Sequence, residues 1–123
     1  MRLAVTDLEA TAMAQLRFSE LSAPRQALVR KCQRIGFGRI EDLDVRDCEP
    51  VFGPRTRSFL DVKLDSDEIP RPEQNLSDFV VRDEIRRLLY KMDAMRDGTI
   101  EHIEVLAGIP RRIIVKADDP IQT

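Results

Sequence analysis

Two glutamates sit sixty residues apart in matching surroundings, Glu41 in Gly38-Arg39-Ile40-Glu41 and Glu101 in Gly98-Thr99-Ile100-Glu101. Carboxylates held about 5 to 9 Å apart can share acid–base work, one giving a proton while the other attacks or activates water. The competing expectation is structural: each glutamate satisfies backbone groups or an arginine at the same place in two copies of one unit. No third group joins them. His102, the single histidine, has the titration range of a general base, but its counterpart in the other copy is Asp42. Neither a nucleophile nor a second metal ligand stands near it at a useful spacing. Cys32 lies mid-helix where the other copy carries Met92, so packing is its expected role. Cys48 falls in a turn and is the more accessible thiol. No Gly-rich phosphate loop or dinucleotide fingerprint is present. The chain therefore reads as non-enzymatic, with no catalytic residue, metal or cofactor expected.

Basic residues supply the other candidate chemistry. The chain holds 16 Arg against 4 Lys. Arg30, Lys31 and Arg34 share the outward face of a predicted helix, and Lys91 lies outward on a second with Arg86 and Arg87. Arg39, Arg111 and Arg112 extend that surface if the fold brings them together. Such groups contact phosphates in nucleic-acid complexes. Against this stand a formal net charge of -2, a pI near 5.5 and the acidic stretch from Asp61 to Glu68. Asp83, Glu84 and Asp93 also interrupt the second helix's cations. Gly36-Phe37-Gly38 echoes an RNA-recognition motif, but Arg39 and Asp42 stand where base-stacking aromatics are needed. Binding of a protein partner is thus the first expectation, and nucleic-acid binding through Arg30, Lys31, Arg34, Arg39 and Lys91 is the second.

The elements that must position these residues come in two similar sets. Leu28 to Pro50 and Leu88 to Pro110 align without gaps, with seven identities over 23 positions: Leu28/Leu88, Lys31/Lys91, Gly38/Gly98, Ile40/Ile100, Glu41/Glu101, Val45/Val105 and Pro50/Pro110. Unrelated segments share roughly one or two, so an internal duplication is expected. Leu28, Val29, Cys32 and Ile35 form a helical stripe that Ser22 caps and Gly36 stops. Ile40, Leu43 and Val45 mark a strand, and the three-residue step from Ile40 to Leu43, repeated at Ile100 and Ile103, predicts a β-bulge. Asp47-Cys48 and Ala107-Gly108 are hairpin turns. Leu60, Val62 and Leu64 alternate with polar residues as a half-buried strand. A long helix from Asn75 or Ser77 to Met95 buries Val81, Ile85, Leu88, Leu89, Met92 and Met95.

The expected architecture is α+β: two αββ repeats forming a four-stranded antiparallel sheet packed by helices, with an N-terminal helix before them. One domain spans residues 1–123, divided into the N-terminal helix (1–21), first repeat (22–64), connector (65–75) and second repeat (76–117). Helix, then Gly-x-Ile-Glu, then hairpin resembles the small YezD-like bacterial proteins, whose function is unknown. The carriers are Gly38-Arg39-Ile40-Glu41 and Gly98-Thr99-Ile100-Glu101 with their hairpins, about 25 residues of each half. This chain departs in carrying both units, an extra residue in each first strand, and Cys48 in place of the turn glycine. The resemblance implies the architecture and a bacterial, cytoplasmic setting, and no activity.

No run of 18 apolar residues suggests a membrane span. Asp7 and Glu9 interrupt the stretch a signal peptide would need. Two cysteines do not make a disulfide framework, so a reducing cytosol is expected. A partner protein or a second copy, paired through a helix face or open sheet edge, is the expected mode of action.

Overall fold

The computed structural model describes residues 15–65 and 72–116. The stripe Leu28, Val29, Cys32 and Ile35 folds as helix α1 (Ala23–Ile35) and is buried along its length. Ser22 caps it, its side-chain oxygen accepting the Arg25 N–H at 3.4 Å, and Gly36 at φ 71° ends it. Ile85, Leu88, Leu89 and Met92 are the buried stripe of helix α2 (Asp83–Met95).

Both helices pack on one antiparallel sheet made of β1 (Gly38–Arg46), β2 (Glu49–Val51), β3 (Arg57–Leu60), β4 (Gly98–Leu106) and β5 (Ile109–Val115). The fold class is α+β. The order is β2-β1-β4-β5, with β3 pairing the other end of β1. Ile40, Leu43 and Val45 of β1 and Ile100, Ile103 and Val105 of β4 are all 0% exposed beneath the helices. Each such burial contributes on the order of 1.5–3 kcal/mol.

The sheet has five strands, not the expected four. The return from the first hairpin ends at Val51, loops through Gly53 and Pro54, and re-enters as β3. The break falls opposite Asp42 and Leu43 of β1, between the residues paired with β3 and those paired with β2. Asp42 adopts φ 57°, which turns the strand enough for Ile40 and Leu43 both to face the core. Thr56 fills the gap, its hydroxyl donating to the Asp42 carbonyl at 2.8 Å. On β4, the register against β5 shifts between Ile100 and His102, placing an irregularity at Glu101.

Each hairpin closes with a two-residue turn at positive φ, Asp47 and Cys48 in one and Ala107 and Gly108 in the other. The turns are tied to the helix ends of the opposite half. Cys48 N–H donates to the Arg96 carbonyl at 2.8 Å, and Gly108 N–H to the Gly36 carbonyl at 2.7 Å. Along β1 and β4, Gly38 pairs with Val105 and Gly98 with Val45.

Two expectations are revised, and a third lies mostly outside the described residues. The N-terminal helix falls almost wholly outside the described residues; its last part, Phe18–Glu20, is a short 3-10 turn. Helix α2 starts at Asp83, so neither Asn75 nor Ser77 caps it. The preceding stretch is extended because it is tied to the segment before α1. Val80 bridges Arg17, the Val81 N–H donates to the Leu16 carbonyl at 2.7 Å, and Phe79 stacks on Phe18 with centroids 5.0 Å apart. Finally, Leu60, Val62 and Leu64 are 63%, 59% and 96% exposed, and only Leu60 lies in a strand. β1 begins at Gly38, which pairs with Leu60; one further bond, from the Asp61 N–H to the Phe37 carbonyl at 2.6 Å, follows, and the strand ends there.

Asp78 anchors the same N-terminal seam. Its carboxylate accepts the Arg17 Nε–H at 2.8 Å and the Ser19 N–H at 2.9 Å. The Arg17 hydrogen bond, followed by that of the Ser19 backbone, lowers its pKa from 3.8 to about 2. A carboxylate whose pKa is depressed in the folded state stabilises above its unfolded value and loses that contribution as pH falls through the folded one. Stability is therefore expected to decline from about pH 4 down to about pH 2. Asp78→Asn should flatten that decline in acid denaturation followed by circular dichroism; an unchanged profile would refute the assignment.

Candidate functional site

The two glutamates of the matching motifs have different neighbours. In the β1–β4 ladder Glu41 stands opposite His102. Its carboxylate accepts the Arg39 Nε–H at 2.8 Å and lies 3.5 Å from Arg57, also in the ladder opposite. The Arg39 hydrogen bond, with charge from Arg39, Arg57 and His102, holds Glu41 below the usual carboxylate range. Such a group stays ionised at neutral pH and is a poor proton donor or acceptor. Glu101 faces different surroundings, lining a concavity of about 620 Å³ with Asp42, Arg55, Asp97 and Lys116. Glu41 and His102 are absent from its walls. Among the described residues, no cluster of His, Cys, Asp and Glu has metal-binding geometry.

The thiols divide as their positions dictate. Cys32 is 1% exposed, and burial pushes its pKa up to about 12. Cys48 is half-buried in the first hairpin turn, its Sγ 3.7 Å from the Asp93 carbonyl. Thiolate, not thiol, reacts with alkylating agents. Native protein treated with iodoacetamide should be labelled at Cys48 alone, and both sites only after unfolding. Mass spectrometry of native-labelled peptides would contradict this burial if it found Cys32 modified at a comparable rate.

The five basic residues read from sequence are dispersed. Arg30 is committed to the fold: its guanidinium donates to Gln33 Oε1 at 2.8 Å, to the Glu73 carbonyl at 3.0 Å and to the Leu76 carbonyl. It also lies 4.3 Å from the centroid of Phe18. Lys31 sits 5.8 Å from the ring of Phe52. Arg34 is exposed in the last turn of α1. Arg39 belongs to the sheet face away from the helices, stacked 4.0 Å over Phe59 and paired with Glu41. Arg39 shares Glu41 and the Phe59 ring with Arg57, and Lys91 joins a larger group of cations.

That grouping lies between α2 and the outer strand β5. Glu84, Arg87 and Lys91 recur three and four residues apart and so fall on one flank of α2, beside its buried stripe. On β5, the register against β4 jumps from Val105/Pro110 to Glu104/Arg112, leaving Arg111 as an extra residue. The bulge turns Arg111 toward the helix, where it meets Glu84 at 3.1 Å. The resulting groove, about 310 Å³, is lined by Arg87, Lys91, Arg111 and Arg112 against the single carboxylate of Glu84, with Leu88, Pro110 and Ile113 as its apolar floor. Sequence reading set Arg87 beside Lys91 on one helix face and had Arg111 and Arg112 extend it if the fold allowed, but took only Lys91 of the four as a binding candidate. The spacing on α2 was visible; the bulge that brings β5 to it was not.

Comparison with protein-family models, curated proteins and solved structures returns no match. No helix among the described residues is long and apolar enough to cross a membrane.

Proposed function

We propose that this protein is a small non-enzymatic binding module that takes up an extended segment of a partner protein along strand β5. One observation carries the reading: β5 pairs with β4 on one side and, among the described residues, with nothing on the other. Apart from Pro110, which has no N–H, this edge strand offers unpaired backbone donors and acceptors, which a partner strand satisfies by continuing the sheet. The neutralisation of Glu41 by Arg39 and Arg57 supports a structural part for that glutamate over an acid–base one.

The module is a duplicated αββ unit whose halves are related by an approximate two-fold axis between β1 and β4, the first unit's return strand being split in two. The ladder supports this, since exchanging the halves maps Gly38/Val105 onto Gly98/Val45. So does the exchange of bonds between each hairpin turn and the opposite helix end. The likeness to the YezD-like proteins accords with this architecture, and the free thiols accord with a reducing, cytoplasmic setting.

The test is to pan a random peptide display library on the purified protein and follow amide exchange by NMR with the enriched peptides. Edge amides within Ile109–Val115 should gain protection on binding. Failure to enrich any peptide, or protection gained only elsewhere, would refute the proposal.

A further inference from the structure

The open edge and the cationic groove are neighbours, because Arg111, Arg112 and Ile113 belong to both. We infer that the strand accepted by β5 is acidic, its carboxylates read by Arg87 and Lys91 of α2 and by Arg111 of the edge itself. This inference rests on the edge-binding reading and adds to it the chemistry of the partner.

Charge complementarity carries the assignment. Arg111 is held by Glu84 at 3.1 Å and Arg112 loosely by Glu104 at 3.8 Å, whereas among the described residues Arg87 and Lys91 line the groove without an ion pair, Arg87 acting on Asp83 only through its charge. An extended strand beside β5 sends alternate side chains toward the helix. Acidic residues at those positions would meet Arg87 and Lys91 and could displace Glu84 from Arg111. The same charges disfavour a second copy as occupant. Antiparallel pairing of two β5 strands about the Arg111–Arg112 step sets arginine against arginine across the ladder. Nucleic acid would satisfy the cations but not the backbone groups of the edge. An acidic peptide strand satisfies both.

The experiment uses two labelled seven-residue peptides, one alternating threonine with glutamate and one alternating threonine with glutamine, titrated by fluorescence polarisation. The glutamate peptide should bind about tenfold more tightly or better, as two or three partly exposed charge pairs imply. That advantage should shrink as salt rises. Arg87→Glu with Lys91→Glu should abolish it while the glutamine peptide binds as before. Glu84→Gln, which removes the resident carboxylate, should tighten the glutamate peptide further. Arg34→Glu, outside the groove, should change nothing, and the melting midpoint of each variant verifies folding.

Equal affinity for the two peptides would overturn the acidic preference and leave the edge reading standing. Binding of neither, with no protection gained in β5, would sink both. Duplex DNA or single-stranded RNA that binds the parent, fails on the doubly reversed variant and excludes the peptides would overturn the inference in favour of nucleic acid. Self-association through β5 that excludes the peptides would overturn it in favour of a second copy.

Discussion

Replacing Gly38 by alanine is expected to destabilise the fold by roughly 3–5 kcal/mol, the sum of backbone strain and overpacking. Gly38 begins β1 at φ 157°, a region that L-residues rarely adopt. A methyl group added there would stand 1.9 Å from the Phe59 carbonyl oxygen and 2.9 Å from its carbon. Those atoms cannot swing aside, because Phe59 is held in the β1–β3 ladder opposite Arg39. The same residue in the second motif is the control. Gly98 has φ 155°, but its added methyl would meet only the Cε of Met95 at 2.9 Å, the mobile end of a long side chain. Gly98→Ala should therefore cost about 1–3 kcal/mol, mainly backbone strain. Urea denaturation of both variants decides the matter. Equal losses, or a larger loss at Gly98, would mean that β3 does not press on β1 as described.

Arg30→Ala is expected to cost roughly 2–4 kcal/mol, since charge-assisted hydrogen bonds are lost and their acceptors left without partners. The side chain clamps three segments: α1 through Gln33, the turn before α2 through Glu73 and Leu76, and the N-terminal segment through the face of Phe18. Arg30→Lys should recover only part of the loss, because an ammonium cannot replace a planar fork that spans several acceptors. Arg34→Ala, one turn along and exposed, should stay within about 0.5 kcal/mol of the parent. Thermal melts of the three variants suffice. Arg30→Ala melting with the parent would return Arg30 to the pool of surface cations and remove the clamp.

The contrast between Arg30 and Arg34 shows where sequence reading stops. Both lie off the buried stripe of α1, and periodicity assigns them to one outward face. Helical periodicity reports only which side is not the core; it does not report what approaches that side. The Glu73–Leu76 segment approaches it from more than forty residues away, and its carbonyls capture Arg30. The error at the start of α2 has the same origin. Asn75 and Ser77 are good caps by type, but Asp78, Phe79 and Val81 are held extended by bonds to residues 16–19. A tertiary contact outweighed a local preference.

What the chain determined on its own is the local grammar: the stripes of α1 and α2, the Ser22 cap and Gly36 stop, the two hairpin turns, and the irregular step between Ile40 and Leu43. Each follows from side-chain spacing or from backbone freedom within a few residues, so one short segment carries the whole signal. Tertiary structure alone decided that Gly38 is confined while Gly98 has room, that Arg30 belongs to the fold while Arg34 faces solvent, and that Arg87, Lys91, Arg111 and Arg112 line one groove. Those outcomes depend on which distant backbone comes to rest against each residue, and that is set by the packing of the whole core.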